Sequence, residues 1–150
     1  MNAYLLDVSP LCDPALFARA LAMALPSRQK RIEACPLPEE QRRLLGAGML
    51  LHRVLGVRRE EDISFNPWGK PALSGGGPCF SLSHSGDYAL LAVSDAPLGA
   101  DIQQVRPVSP GLLRKLARPE DLAAARALCP LFTRMDARMK ACALGFAWPR

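Results

Sequence analysis

Three features of the sequence predict an α+β protein. Apolar residues recur at helical spacing in the first third. After residue 60 the pattern changes to short alternating runs divided by turn residues. From Ser109 onward it is helical again. A chain of 150 residues is expected to form one domain, or two small subdomains sharing a core.

The elements follow in order. "AYLLDV" reads as a strand. Asp13-Pro14 supplies a cap and a first-turn residue for a helix to about Leu25. Ser27 is expected to cap a second short helix, "RQKRIEA". Pro38 opens the main core helix, with two acids in its first turn and Leu44, Ala47, Leu51, Val54 and Leu55 on one face. "DISF", "CFSLS", "YALLAVS" and "LGADIQQV" are expected strands. Turns are expected at Pro67-Trp68-Gly69, Gly75-Gly76-Gly77, His84-Ser85-Gly86-Asp87 and Asp95-Ala96-Pro97. Pro119 and Pro130 open two further helices, the last from roughly Leu131 to Leu144.

With 49% hydrophobic and 22% charged residues the chain is globular, not disordered. No apolar run is long enough to span a bilayer. "PALFARALAMAL" is interrupted by Arg19, preceded by Asp13 and lacks a basic leader, so an amphipathic helix and a cytoplasmic, non-membrane protein are expected. Cys12, Cys35, Cys79, Cys129 and Cys142 are never closely paired, and buried free thiols are expected. The net charge of +5 is uneven: basic segments flank an acidic middle, residues 61–100, which carries one Lys/Arg against four acids. That pattern suits an anionic partner. No aromatic-interleaved basic stretch or nucleic-acid motif accompanies it, so no nucleic-acid partner is expected.

His84, one of two histidines, stands in "SLSHSGDYALLAV". Neither Ser83 nor Ser85 has the G-x-S-x-G frame of a hydrolase elbow. No His or Cys lies at zinc-ligand spacing, and His52 lacks an H-E-x-x-H pattern. Oxygen ligands are better represented. Asp101 and Gln103, at i and i+2 of an expected strand, share one face, as do Asp136 and Lys140 at i and i+4 of the last helix. Two carboxylates and an amide suit Mg²⁺, which keeps waters and shares itself with substrate phosphates. The bland alternative is a solvated strand side and a surface ion pair.

Taken in order, "WGKPAL", "FSLSHSGDYALLAV", "GADIQ" and "FTRMDARMKA" resemble the motifs of 4′-phosphopantetheinyl transferases of the broad-specificity, surfactin-synthetase-activating type. That family has a G-K-P turn, a [FN]-x-S-H segment, G-[VI]-D-[IV]-E, and W-[ST]-x-K-E-A-x-x-K. "LPSRQKRIEA" and "EEQRRLLGAGMLL" are similar to its basic entry and first long helix. The likeness runs from about Leu25 to Phe146.

The resemblance implies transfer of the phosphopantetheine arm of coenzyme A to a serine of an acyl or peptidyl carrier protein, an acidic partner. It implies Mg²⁺ on Asp101, Gln103 and Asp136. The base is a cluster carboxylate, a bound water or Lys140. Lys30, Arg42 and Lys70, with Pro71 in the G-K-P turn, match positions that hold coenzyme A. Ser83 and His84 match contacts of the same ligand, His84 bonding a phosphate oxygen.

Three departures stand out. Gln103 replaces the family's Glu, so that ligand brings no charge. Met135-Asp136 replaces Lys-Glu, which removes a cation and shortens the carboxylate by a methylene. Phe132 replaces Trp. Members of this type are pseudo-dimers of two similar halves. Here residues 1 to about 105 match the first half, 106–150 are expected as helices leading into a shortened second, and the second pseudo-repeat is expected to be largely missing. Self-association is therefore expected. Two alternatives are a degenerate relative that binds coenzyme A or a carrier protein without turnover, and a regulatory interaction module.

Overall fold

The computed structural model describes residues 1–105 and Ala137. The helices expected from Ser109 onward, with Asp136 and Lys140, lie outside the described residues. The elements are β1 (Asn2–Asp7), a 3-10 turn (Ser9–Cys12), α1 (Pro14–Ala22), α2 (Pro26–Glu33) and α3 (Pro38–Leu55). A second 3-10 turn (Glu60–Asp62) is followed by β2 (Ile63–Phe65), β3 (Pro71–Leu73), β4 (Cys79–Ser85) and β5 (Tyr88–Ser94). This is an α+β arrangement of helices and antiparallel sheets, as the sequence predicts.

α1 starts where expected. The Asp13 carboxylate accepts the Ala15 and Leu16 amides at 2.8 and 2.9 Å, and Pro14 fills a position that has no N–H to satisfy. It ends at Ala22, short of Leu25. α2 departs from expectation at its start. Leu25 is the cap residue, and Ser27 lies inside the first turn, where its amide and hydroxyl both donate to Glu60 at 2.7 Å. A carboxylate 33 residues away thus does the work expected of the Ser27 side chain. α3 runs to Leu55 and closes on Gly56, whose φ of 69° is the left-handed conformation that suits glycine.

The main sheet has the order β1-β5-β4, and β2 and β3 form a separate hairpin. Along β5, Ala89, Leu91 and Val93 pair laterally with Leu6, Tyr4 and Asn2 of β1 and with His84, Leu82 and Phe80 of β4. This face meets α3 at close range: a Cβ on Gly46 would collide with the Val8 side chain and touch Ala89 and Leu6. Phe80, Leu45, Leu51, Leu91, Ile32 and Val8 are the largest side chains fully buried in the resulting core. The opposite face carries Ser81, Ser83 and Ser85 of β4 beside Ala92, Leu90 and Tyr88 of β5 and Ala3, Leu5 and Asp7 of β1.

Two local expectations change. β4 continues through Ser85, and only Gly86 and Asp87 form the turn to β5, with φ of 57° at Gly86. His84 is therefore a strand residue and not part of a turn. "LGADIQQV" is not a strand: residues 97–105 form no sheet ladder. The described cysteines are free thiols as expected but not buried. Cys12 is exposed, and Cys35 and Cys79 are half-buried.

Candidate functional site

The stretch of 98–104 is fastened to β4 by side chains. The Ala100, Ile102 and Gln104 amides donate to the hydroxyls of Ser81, Ser83 and Ser85 at 3.1, 3.2 and 2.9 Å. Every second amide meets every second serine, both chains running the same way, so this stretch is extended. Alternation of polar side chains in "SLSHS" is what allows it, because all three hydroxyls leave β4 on one face. Ser81 and Ser83 are buried beneath the crossing stretch.

Ser83 also donates to Asp101 Oδ1 at 2.5 Å. One hydroxyl thus accepts from the backbone at 102 and orients the carboxylate at 101. Asp101 is half-buried and Gln103 exposed. In an extended stretch they remain on one side at i and i+2. Upstream, Lys70 Nζ donates to the Leu98 carbonyl at 3.1 Å. The Lys70 amide is held by Asn66 Oδ1 at 2.8 Å, an oxygen that also takes the Trp68 amide. Pro71 then opens β3 opposite Phe65. Lys70, Ser83 and Asp101 are thereby tied into one assembly around residues 98–102.

His84 points to the other face of the sheet from Ser83. Its Nε2 lies 3.6 Å from Glu40 Oε1, and the other oxygen of Glu40 accepts Arg43 Nε at 2.8 Å. Arg43 Nη1 also reaches the Gly86 carbonyl at 3.1 Å, pinning α3 to the β4–β5 turn. Glu40 and Arg43 were not among the candidates read from the sequence. Their residue types carry no motif, and only the approach of α3 to the turn brings them to His84. Arg42 is half-buried, and its Nε lacks a hydrogen-bond partner among the described residues. An orphaned guanidinium nitrogen of this kind suits an anion. Lys30 is exposed on α2, where its charge, with that of Arg28, helps hold the Glu60 carboxyl below the usual range. The larger cause is the pair of bonds from Ser27.

Among the described residues no group of three or more His, Cys, Asp and Glu side chains is placed to hold a metal ion. Asp101 and Gln103 supply two oxygen donors, the ligand type Mg²⁺ takes, and Ser83 fixes the first of them. The third expected donor, Asp136, lies outside the described residues. The donor chemistry present therefore fits the ion.

No family model matches the chain. Over 29 residues it is 55% identical to the 4′-phosphopantetheinyl transferase psf-1 of Bacillus pumilus, a match covering 19% of this chain and 12% of that protein. Over 65 residues it is 43% identical to the 4′-phosphopantetheinyl transferase AcpT of Salmonella typhimurium, covering 42% of this chain and 33% of that protein. The chain thus matches a third or less of the length of either relative. These partial similarities support a relation to the phosphopantetheinyl transferase superfamily. No helix among the described residues is long and apolar enough to cross a membrane.

Proposed function

We propose that the protein transfers the 4′-phosphopantetheine arm of coenzyme A to a serine of an acyl or peptidyl carrier protein, in the manner of the broad-specificity, surfactin-synthetase-activating type. The observation that carries this reading is the 43% identity over 65 residues to a 4′-phosphopantetheinyl transferase. The Ser83–Asp101 bond supports it by orienting one of the expected metal ligands.

In this reading Asp101 and Gln103, with Asp136, hold Mg²⁺. Bound there, the ion supplies charge neutralisation for the pyrophosphate of coenzyme A and for the departing 3′,5′-ADP. Ser83 acts on Asp101 as a positioning residue, beside the coenzyme A contact expected from the sequence. Lys70 uses one of its three N–H donors on Leu98, and the ammonium retains donors for a phosphate oxygen. Arg42 offers its guanidinium to the same anion, and Lys30 adds positive charge at the surface. A phosphate at His84 has to share the imidazole with Glu40, so the histidine contributes most when protonated. The carrier serine oxygen attacks the phosphorus that bears the pantetheine arm, and the bond to the ADP oxygen breaks. The serine proton passes to a cluster carboxylate, a bound water or Lys140.

Calorimetric titration with coenzyme A tests the binding half of this reading. Binding that requires Mg²⁺ is expected. Absence of binding with and without the ion contradicts it.

A further inference from the structure

α1 and α3 enclose a cavity of about 570 Å³ that the reading above does not use. Its walls are apolar: Leu16 and Ala20 of α1, at i and i+4, with Met23 at the cap that ends the helix, face Leu45 and Met49 of α3. Gly48, also in the lining, carries no side chain, and the Arg28 stem lies close enough that a Cβ there would stand 2.5 Å from it. Met23 is 67% exposed and Leu16 40% exposed, so apolar surface reaches the rim.

The polar part of the lining holds the guanidinium groups of Arg19, Arg53 and Arg58 beside His52, with no carboxylate among the lining residues. Among the described residues none of these three arginines forms an ion pair. Arg58 Nη1 instead lies 2.5 Å from His52 Nε2. A guanidinium can only donate, so the imidazole nitrogen is the acceptor in this contact. Three guanidinium groups with no carboxylate among the described lining residues, set beside an apolar cleft, are complementary to a molecule with an anionic head and a hydrocarbon body. The volume falls within the roughly 300–1,000 Å³ of small-molecule sites.

We infer that this cleft is a binding site for a small amphipathic anion, an acyl carboxylate, with its tail between α1 and α3 and its head among Arg19, Arg53 and Arg58. The site is separate from the Ser83–Asp101 assembly, and its test does not depend on transferase activity.

The test is a titration of the full chain with decanoate, read from methionine methyl resonances after carbon-13 labelling. Met23 and Met49 are expected to shift together and saturate, while Met1 stays in place. Decyltrimethylammonium, with the same tail and opposite charge, is expected to bind at least about 10-fold more weakly. The double variant R53E/R58E changes two exposed side chains and is expected to weaken decanoate by at least about 10-fold. A second variant, M23E, places a carboxylate on the exposed wall and is expected to do the same. Equal affinity for the cationic amphiphile, unchanged affinity in R53E/R58E, or saturation without movement of Met23 and Met49 would each overturn the assignment.

Discussion

Ser83 donates its hydroxyl to Asp101 at 2.5 Å while accepting the Ile102 amide at 3.2 Å. A single side chain on β4 therefore fixes both the carboxylate and the backbone that carries it. Ser83→Ala removes an acceptor from a partly buried amide and a donor from the carboxylate. It is expected to destabilise the protein by about 1–3 kcal/mol. Transfer is expected to fall about 10-fold or more, with the loss in kcat and not in the KM for coenzyme A. Ser83→Thr, which keeps the hydroxyl, is expected to restore most of both. A selective rise in KM would instead indicate that Ser83 touches coenzyme A directly.

Gln103 follows Asp101 by two residues and is exposed, so its side chain can change without disturbing the core. Gln103→Glu adds a charged oxygen donor beside Asp101. It is expected to lower the Mg²⁺ concentration needed for half-maximal transfer, with the rate kept or raised. A higher Mg²⁺ requirement would place Gln103 outside the metal site.

The Ser27–Glu60 contact makes a pH prediction. Backbone and side-chain hydrogen bonds from Ser27 lower the Glu60 pKa below 4.5. A group whose folded pKa is depressed adds stability that is full above its unfolded pKa and is lost as pH falls through the folded pKa. Glu60→Gln is therefore expected to destabilise by about 0.5–1 kcal/mol at pH 7, small because the contact is exposed. The difference from wild type is expected to shrink as pH falls below about 4. Urea unfolding at several pH values reads this directly, and a difference constant from pH 7 to 3 would contradict it.

The face of the sheet opposite α3 is covered only in part by the stretch at 98–104. Among the described residues Leu5 is 58% exposed and Tyr88 43% exposed on that face, with Leu90 half-buried between them. Exposed apolar sheet of this kind favours association. The protein is expected to self-associate at micromolar concentration, and Leu5→Lys is expected to weaken that association. Light scattering that returns a strict monomer at that concentration contradicts it.

How far the sequence is legible varies by element. Asp13-Pro14 and Pro38 with its two acids are local signals, and α1 and α3 begin where those residues place them. β4 and β5 follow from alternating apolar residues. Three features lay beyond local reading. Ser27 has the chemistry of a cap, yet Glu60 takes the role because the 3-10 turn folds back over α2. The "LGADIQQV" stretch has strand-like alternation, but serine hydroxyls receive its amides, and side-chain acceptors leave no mark in hydrophobic periodicity. Glu40 and Arg43 meet the β4–β5 hairpin only through tertiary packing. Asp101, Ser83 and Lys70 were named from the sequence as candidates, and hydrogen bonds bring the three together around residues 98–102. Ser83's role as the anchor of Asp101 required the register of 101 against 83, which spacing alone does not give.

The central claim is that Asp101, held by Ser83, serves phosphopantetheine transfer. The most direct measurement is the intact mass of an apo carrier protein after incubation with this protein, coenzyme A and Mg²⁺, run beside EDTA and Asp101→Ala controls. The account predicts a gain of one phosphopantetheine arm with wild type and Mg²⁺, and none in either control. No gain with wild type, while an authentic transferase modifies the same carrier, or an equal gain with Asp101→Ala, would contradict it.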